Sequence, residues 1–325
     1  MKLQVVLPNE AAGADQRRLA DLARQAEALG YDTVWLPDHI LPPGEYGPVY
    51  GGVLEPLVTM GWLAATTTRI RLGTSVLVLP MRSPFVVAKQ VATLHGLSGG
   101  RITLGVGIGW DEREFTAVGA DFRSRAARTD EAIALLRHLF ATGRGPFEGR
   151  WYGFETGVFE PRPDGPVPVM TGGVTDAALR RAARYADVWQ GVGLDPAAFA
   201  ERLAYLRAHT DGRTVSPGTR IDWHGPDRTV GEAARTARPS GPPEPSISRC
   251  TSATRTVTLD GWPPSPGTFL TASTDSAQPQ RPDLPFAHAE PTRRVRQLAG
   301  VIREAFPVAI QAQDGDTLHQ EEDLT

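Results

Sequence analysis

Short apolar segments alternate with longer segments of helical periodicity along the first 237 residues. Apolar runs bounded by Gly, Pro or Asn predict strands, and apolar positions spaced three and four residues apart predict helices. Strands are predicted at 3–7, 33–36, 70–79, 102–106, 167–170, 187–191 and 220–223. Helices are predicted at 15–29, up to 65, and at 84–97, 123–140, 176–185, 196–208 and 230–237. This alternation indicates parallel strands joined by right-handed crossovers.

The order of the elements favours a barrel over an open sheet. Seven strand–helix units are predicted, and no Gly-rich dinucleotide turn follows the first strand. We therefore expect an α/β protein with a TIM (β/α)8 barrel rather than a doubly wound sheet. Residues 1–237 would form the barrel, and residues 143–166, rich in Gly, Pro and aromatic residues, would form an inserted hairpin.

The eighth strand–helix unit is missing from the pattern, and residues 238–325 form an aberrant tail. Pro, Ser and Thr dominate after Arg238, which predicts disorder. A frameshift is the alternative hypothesis. If the gene is read one base early, TC-type codons at Ser246, Ser248 and Ser252 become apolar while Ile247 and Thr251 become polar, as in a strand. The eighth unit would thus be lost or replaced, and the first and seventh strands would be left unpaired.

Composition and charge limit the partners. The net charge of −3, without a polybasic run, predicts neither nucleic-acid nor membrane binding. The single cysteine excludes a disulfide framework, and the seven histidines lack metal-type spacing, so no metal site is expected. No signal peptide or membrane-spanning run is recognised, which predicts a cytoplasmic protein acting on a small molecule.

Candidate chemistry lies where the predicted strands end, because active sites of parallel barrels form there. Asp38 and His39 follow the second strand. A histidine at a strand end can donate a proton or polarise a carbonyl, although a loop histidine bonded to backbone fits equally. The small and hydroxyl residues at 74–76 follow the third strand, where they would admit a flat ligand or mark a bulge.

Glycines follow the fourth and fifth strands. Gly107 and Gly109, just before Trp110, clear one strand face for a planar ring or a phosphate. The acidic residues at 111–114 are predicted to complement a helix dipole rather than to form a catalytic pair. Residues 172–175 open a helix, which predicts either a phosphate site or simple capping.

Together these motifs resemble the luciferase-like monooxygenase superfamily, and within it the branch that uses the deazaflavin coenzyme F420. The segments that carry the resemblance are GYDTVWLPDH at 30–39, RLGTSVLVLP at 71–80, AKQ at 88–90, GIGW at 107–110 with Glu114 and Phe115, and GG at 172–173 with AALRRAA at 177–183. The resemblance implies a TIM barrel with an insertion, and typically a homodimer.

The resemblance also implies roles for individual residues. Asp38 and His39 would stand at the deazaflavin ring as the catalytic residues, with His39 as proton donor or hydrogen-bonding group. The stretch at 74–76 matches a bulge, often with a non-prolyl cis peptide, that backs the ring. The cofactor-binding residues implied are Asp38, Thr74, Ser75, Val76, Gly107, Gly109, Trp110, Gly172, Gly173, Val174 and Thr175.

The function implied is an F420-dependent oxidoreductase that transfers a hydride between the deazaflavin and an unidentified small organic substrate. A monooxygenase using flavin mononucleotide (FMN) is one alternative, since both cofactors carry a tricyclic ring and a phosphate. An inactive, C-terminally frameshifted family member is the other. The F420-dependent sugar-phosphate dehydrogenases have glutamate where this chain has Trp110, and use lysines on their substrate's phosphate. No lysine follows Lys89 here, so a sugar phosphate is not expected.

Overall fold

The computed structural model of the chain describes residues 2–10, 16–221, 254–258 and 269–273. The strands in these ranges are β1 (Lys2–Val6), β2 (Thr33–Leu36), β3 (Arg71–Thr74), β4 (Leu77–Val78), β5 (Ile102–Gly107), β6 (Val169–Gly172), β7 (Val188–Val192), β8 (Ser216–Ile221), β9 (Thr254–Thr258) and β10 (Phe269–Ser273). The helices are α1 (Arg17–Ala28), α2 (Gly47–Tyr50), α3 (Pro56–Thr66), α4 (Pro84–Leu97), α5 (Glu112–Ala117), α6 (Arg125–Thr142), α7 (Asp176–Tyr185) and α8 (Pro196–Ala208), with 3₁₀ turns at Gly44–Tyr46 and Leu79–Met81. No helix in these ranges is long and apolar enough to cross a membrane.

The strands pair into one sheet that closes on itself. Parallel ladders join β1 to β2, β2 to β3, β3 to β5, and then β5 through β6 and β7 to β8. The short β4 adds a second contact to β5. Beyond β8 the sheet continues through β9 and β10 back to β1. The prediction of a TIM-type barrel rather than a doubly wound sheet is therefore confirmed.

The first and seventh predicted strands are not open edges. β9 runs parallel to β8, and β10 runs antiparallel to both β9 and β1, with Lys2 opposite Ser273. Two strands thus occupy the place of the missing eighth strand, and the prediction that its neighbours stay unpaired is wrong. The predicted helix at 230–237, the proposed frameshifted strand at 246–252 and most of the tail lie outside the described residues.

Two strands differ from their predicted bounds. The run at 70–79 divides into β3 and β4 at a cis peptide bond between Ser75 and Val76. The seventh predicted strand begins at Ser216 rather than at residue 220. The prediction started too late because proline and glycine, here Pro217 and Gly218, are typical of strand ends. Pro217 lies one residue before the ladder with β9 begins, and proline is tolerated at such a strand start.

The barrel interior is filled by side chains. Trp35 lies in a buried cluster with Val6 and Met170, and its Nε1–H donates to the buried Gln4 Oε1 at 2.8 Å. A Cβ on Gly73 would lie 2.3 Å from the Trp35 ring, so glycine is required opposite this indole. In the part of the chain that the structure describes, the barrel interior is therefore a packed core.

Two charged side chains tie the N-terminal end of the barrel. Glu27 on α1 accepts the backbone N–H groups of Thr68, Arg69 and Ile70 at 3.0, 2.5 and 2.8 Å. Arg101 donates to the carbonyl of Ile70 at 2.9 Å and to several neighbouring oxygens. These bonds fix the loop that leads into β3.

The segment at 143–166 packs against α6. Its two arms meet in an antiparallel bridge between Phe147 and Phe154. Glu131 on α6 accepts the backbone N–H of Trp151 at 2.8 Å and those of the residues on either side of it. Glu131 therefore anchors the segment to α6, and Phe147 and Phe154 also pack against the hydrophobic core.

Candidate active site

A cavity of about 530 Å³ opens at the C-terminal ends of the strands. Its walls come from the segments that follow β2, β3, β5 and β6, together with residues of β4 and β7. All but one of the site residues predicted from the sequence line it: Asp38, His39, Ser75, Val76, Gly107, Gly109, Trp110, Gly172, Gly173, Val174 and Thr175. Sequence segments far apart in the chain therefore meet in one place.

Thr74 is the predicted site residue that does not line the cavity. Its hydroxyl donates to the Gly105 carbonyl at 2.6 Å and accepts the Gly105 N–H at 3.0 Å, which ties β3 to β5. The next peptide bond, between Ser75 and Val76, is the non-prolyl cis bond that the family resemblance implied. Ser75 Oγ donates to Gln190 Oε1 on β7 at 3.1 Å, so the bulge is bonded across the barrel.

His39 is held at the cavity by Glu114. The Nδ1 atom of His39 lies 3.0 Å from Glu114 Oε2, and Glu114 Oε1 accepts the N–H groups of Ile40 and Leu41 at 2.7 and 3.0 Å. The Glu114 side chain is 2% exposed. Burial opposes its ionisation, but the hydrogen bonds from His39 and the two amides outweigh burial and hold the pKa of Glu114 below its usual range.

This ionised carboxylate fixes the histidine ring. A carboxylate only accepts hydrogen bonds, so His39 Nδ1–H is the donor to Glu114. The other ring nitrogen, Nε2, is then the one left to a ligand in the cavity that His39 lines. The pair is able to present a proton at one defined atom.

Asp38 faces the protein rather than a ligand. Its Oδ2 accepts the Val78 N–H at 2.9 Å, and its Oδ1 accepts from Arg82 at 2.6 Å. Arg82 in turn bonds Glu55 at 2.9 Å, and the Asp38 side chain is fully buried. Asp38 therefore anchors β4 to the end of β2.

One wall of the cavity is bare backbone. A Cβ on Gly107 would lie 2.4 Å from Val76 Cγ2, and a Cβ on Gly109 would lie 2.6 Å from the Phe115 ring. Gly109 also has a φ of +74°, which favours glycine. The side chains of Val76 and Phe115 already fill these positions, so glycine is required here, and the strand presents its backbone to the cavity that both glycines line.

The opposite wall is the loop between β6 and α7. Gly173 has a φ of +100°, and Thr175 Oγ1 caps α7 by accepting the Ala178 N–H at 3.3 Å. Trp189 Nε1–H donates to the Gly173 carbonyl at 2.8 Å, and the Trp189 ring stacks on Phe199. The loop is therefore fixed from behind, with the positive end of the α7 dipole at the cavity.

Two arginines lie on the same side as this loop. Arg181 on α7 bonds Asp130 and donates to the Ala126 carbonyl at 3.4 Å, which places it beside Arg125 at the start of α6. Both arginines line the cavity. Asp130 offsets one of the two charges, so Arg125, Arg181 and Asp130 together leave one positive charge at the α6–α7 side of the cavity, which complements an anionic group there.

These walls fit a ligand with a flat ring and a phosphate. The hydroxyl oxygen of Thr171 is buried in the cavity wall without a hydrogen-bond partner, as expected of a group that serves a ligand. At Gly172 a Cβ would make ordinary van der Waals contact, 3.8 Å from the Gln190 carbonyl oxygen. The bare strand suits the ring, and the α7 terminus suits the phosphate.

Aromatic rings pack around His39 beside the cavity, and Trp110 is the one of these rings that lines it. The ring of Tyr50 stacks on His39 with centroids 4.2 Å apart, and the ring of Trp110 stands edge-on to it at 6.0 Å. Tyr46 meets Trp110 edge-to-face at 4.9 Å. Both tyrosines come from residues 44–50, between β2 and α3.

The sequence reasoning missed several lining residues. The acidic cluster at 111–114 does begin a helix, with Asp111 accepting the Arg113 N–H at 2.8 Å, but Glu114 is buried against His39 instead of complementing the helix dipole. The Glu114–Phe115 motif carried the signal that could have identified it. Arg181 lies in the AALRRAA motif that carried the resemblance, but no role was assigned to it, and Gln190 lies outside every quoted motif, so only the tertiary structure reveals both as lining residues.

Comparison with known proteins agrees with this architecture. The family model for luciferase-like monooxygenases matches residues 1–223, and the chain belongs to that family. The F420-dependent glucose-6-phosphate dehydrogenase of Kineococcus radiotolerans is 40% identical over 185 residues, which are 55% of this chain and 54% of that protein. An uncharacterized protein of Mycobacterium tuberculosis is 39% identical over 189 residues, 54% of this chain and 65% of the other. The chain thus matches between half and two thirds of the length of these relatives.

Solved structures show the same fold. An F420-dependent secondary alcohol dehydrogenase, in complex with an F420–acetone adduct, aligns with a TM-score of 0.59 at 22% identity over 73% of this chain and 74% of that one. The FMN-bound oxygenating constituent of 3,6-diketocamphane monooxygenase of Pseudomonas putida aligns with a TM-score of 0.56 at 17% identity, over 72% of this chain and 70% of that one. Both deazaflavin and flavin enzymes thus share this barrel.

Proposed function

We propose that this protein is an F420-dependent oxidoreductase that transfers a hydride between the deazaflavin and a small organic substrate. Support comes from the family, from relatives named as F420-dependent dehydrogenases, and from the cavity itself. The observation that carries the proposal is the His39–Glu114 pair at the edge of a cavity with one bare strand wall and one helix terminus.

The cofactor would be held by two walls. Gly107, Gly109 and Val76 would bind the ring, and residues 172–175 with the start of α7 would bind the phosphate. Arg181 adds positive charge on the phosphate side. When bound, reduced F420 supplies a hydride, which is two electrons and one hydrogen nucleus.

His39 is the proton donor in this proposal. Glu114 holds its ring through Nδ1, so that Nε2 faces the substrate oxygen and delivers a proton to it. Asp38 is a positioning residue, because its carboxylate is bonded to Val78 and Arg82 and not to the cavity.

The cofactor is tested by titrating the purified protein with F420 and with FMN, following fluorescence. We expect F420 to bind at one site per chain and at least tenfold more tightly than FMN. Tighter binding of FMN would favour a flavin monooxygenase instead. Binding of neither, by a chain with the melting transition of a folded protein, would favour an inactive family member.

A further inference from the structure

The geometry of the outer cavity points to an uncharged substrate: we infer that Tyr46, Tyr50 and Trp110 form an aromatic wall that binds a neutral, ring-bearing carbonyl compound beside His39. This inference rests on the proposed function for its chemistry, and it adds the class of substrate. The three residues are called the aromatic wall below.

The aromatic wall is continuous and reaches solvent. Trp110 is 42% exposed and lies edge-on to both His39 and Tyr46, while Tyr50 stacks on His39. Aromatic pairs in such edge-to-face and stacked arrangements are held by their quadrupoles and offer faces and edges to a further ring. A flat apolar group entering from solvent would meet this wall before it meets His39.

The residues beside the aromatic wall are also apolar. Ile40 and Leu41, directly after His39, are 43% and 57% exposed, and Val192, which lines the cavity, is 42% exposed. Exposed apolar side chains clustered around a cavity mark a ligand-binding surface. Burial of an apolar group against them is favourable because it removes their surface from water.

The charges nearest the aromatic wall do not favour an anion. Arg113 bonds Asp111 at 2.7 Å and also bonds Glu45, so two carboxylates share one guanidinium. The Glu114 carboxylate lies behind His39. Arg113 and the three carboxylates together carry a net negative charge, so a phosphate or carboxylate on the substrate would be repelled.

The cations of the cavity lie elsewhere. Arg181 belongs to α7, whose first turn follows Gly172–Thr175, and it reaches the Ala126 carbonyl beside Arg125. Positive charge thus serves the phosphate of the cofactor, at the side of the cavity formed by α6 and α7. The charge distribution separates an anionic end for the cofactor from a neutral end for the substrate.

The reaction at the neutral end balances as a carbonyl reduction. The C=O π bond of the substrate breaks while its carbon accepts the hydride of reduced F420 and its oxygen accepts the Nε2 proton of the His39 imidazolium, which is left as a neutral ring with Nδ1–H still bonded to Glu114. The substrate becomes an alcohol, the deazaflavin is oxidised by two electrons, and His39 regains its proton from solvent.

The test compares two aldehydes that differ in one group: 4-methylbenzaldehyde, which is neutral, and 4-carboxybenzaldehyde, which is anionic. Both are titrated calorimetrically into the wild-type protein, with F420 present and in its absence. We expect the neutral aldehyde to bind about tenfold more tightly, a difference of about 1.4 kcal/mol. Equal affinity, or tighter binding of the anionic aldehyde, would overturn the inference.

Variants locate the binding surface. Trp110→Ala and Tyr46→Ala, each of which removes one ring of the aromatic wall, should weaken binding of the neutral aldehyde several-fold, and Tyr46→Ala should leave F420 affinity unchanged. Trp151→Ala, a tryptophan removed from the outer segment at 143–166, is the control and should change neither affinity. Unchanged aldehyde affinity in both wall variants would overturn the inference, whereas a failure of F420 to bind would count only against the proposed function.

Discussion

Two glutamates at opposite ends of the barrel perform the same structural task with different consequences. Glu27, at the N-terminal end, accepts three consecutive backbone amides before β3. Glu114, at the C-terminal end, accepts two consecutive amides after β2, and its third donor is the ring of His39. Glu27 also accepts from the Thr68 hydroxyl at 3.3 Å, so each carboxylate holds a loop through consecutive backbone amides and one side-chain donor.

The two glutamates differ in their side-chain donor, which is the Thr68 hydroxyl for Glu27 and the His39 ring for Glu114. The pKa of Glu27 and the pKa of Glu114 are both lowered, because in each case the hydrogen bonds outweigh the burial that opposes ionisation. A lowered pKa therefore does not by itself separate a structural carboxylate from one at a site. What separates them is a proton-carrying ring, at the cavity end alone, that the carboxylate orients.

The largest effect on turnover is expected when His39, the side-chain donor to Glu114, is removed. His39→Ala should lower hydride transfer from reduced F420 to 4-methylbenzaldehyde by about 10²- to 10⁴-fold, the usual contribution of a positioned proton donor. F420 affinity should change less than threefold, because His39 is not on either cofactor wall. Stopped-flow oxidation of the reduced cofactor measures the rate, and unaltered turnover would remove His39 from the mechanism.

The next prediction compares the same substitution, glycine to aspartate, in a loop at the cavity and in a loop at the other end of the barrel. Gly173→Asp places a carboxylate in the loop at the cavity end, where a Cβ lies 2.8 Å from the Ala178 Cβ. F420 binding should weaken by about a hundredfold, because like charges repel and the loop must shift. Gly99→Asp, at a similar φ of +65° in the loop before β5, should cost stability and leave F420 affinity unchanged. Fluorescence titration measures the F420 affinity of both variants. Equal affinities would refute the assignment of residues 172–175 to the cofactor phosphate.

A smaller effect should follow loss of one hydrogen bond behind that loop. Trp189→Phe keeps the stacked ring and removes the N–H that donates to the Gly173 carbonyl. We expect F420 affinity to fall several-fold, the usual value of one neutral hydrogen bond. Trp35→Phe removes a buried tryptophan N–H from Gln4 instead and should lower only the melting temperature. A fall in affinity of the same size in both variants would show a general loss of stability.

The smallest effect concerns acid stability, in which the two glutamates should behave alike. Each folded-state pKa lies below the unfolded value of ~4.3, so the unfolded chain takes up protons first as the pH falls. The stabilisation is present above that value and is lost as the pH falls through the folded-state pKa. Glu27→Gln and Glu114→Gln should each flatten the decline of melting temperature below pH 5. A decline as steep as in the wild type would contradict the hydrogen-bond pattern.

The sequence predicts most of the barrel because its signals are local. Helices α4, α7 and α8 begin and end at the predicted residues, since proline or a capping residue marks each start. The strand β8 was misplaced because Pro217 and Gly218 hide it. The pairing of β9 and β10 with β8 and β1 depends on long-range contacts that no local periodicity encodes.

The candidate site divides in the same way. Glycines and His39 at strand ends were recognisable, because barrel topology brings strand ends together. Glu114 was interpreted as a helix-start charge, and its burial against His39 follows from a contact across 75 residues. Thr74 was expected at the cofactor, but its hydroxyl is used between β3 and β5. Orientation of a side chain toward or away from a cavity is a tertiary property.

The most direct test of the central claim measures Glu114→Gln and Glu27→Gln side by side, each as a change in turnover and in melting temperature. Reduced F420 and 4-methylbenzaldehyde provide the turnover assay, and F420 titration confirms that both variants bind the cofactor. We predict that Glu114→Gln lowers turnover by about ten- to a hundredfold, because the His39 ring loses its ionised partner, while Glu27→Gln lowers only the melting temperature. Equal turnover in the two variants would contradict the assignment of the His39–Glu114 pair to catalysis.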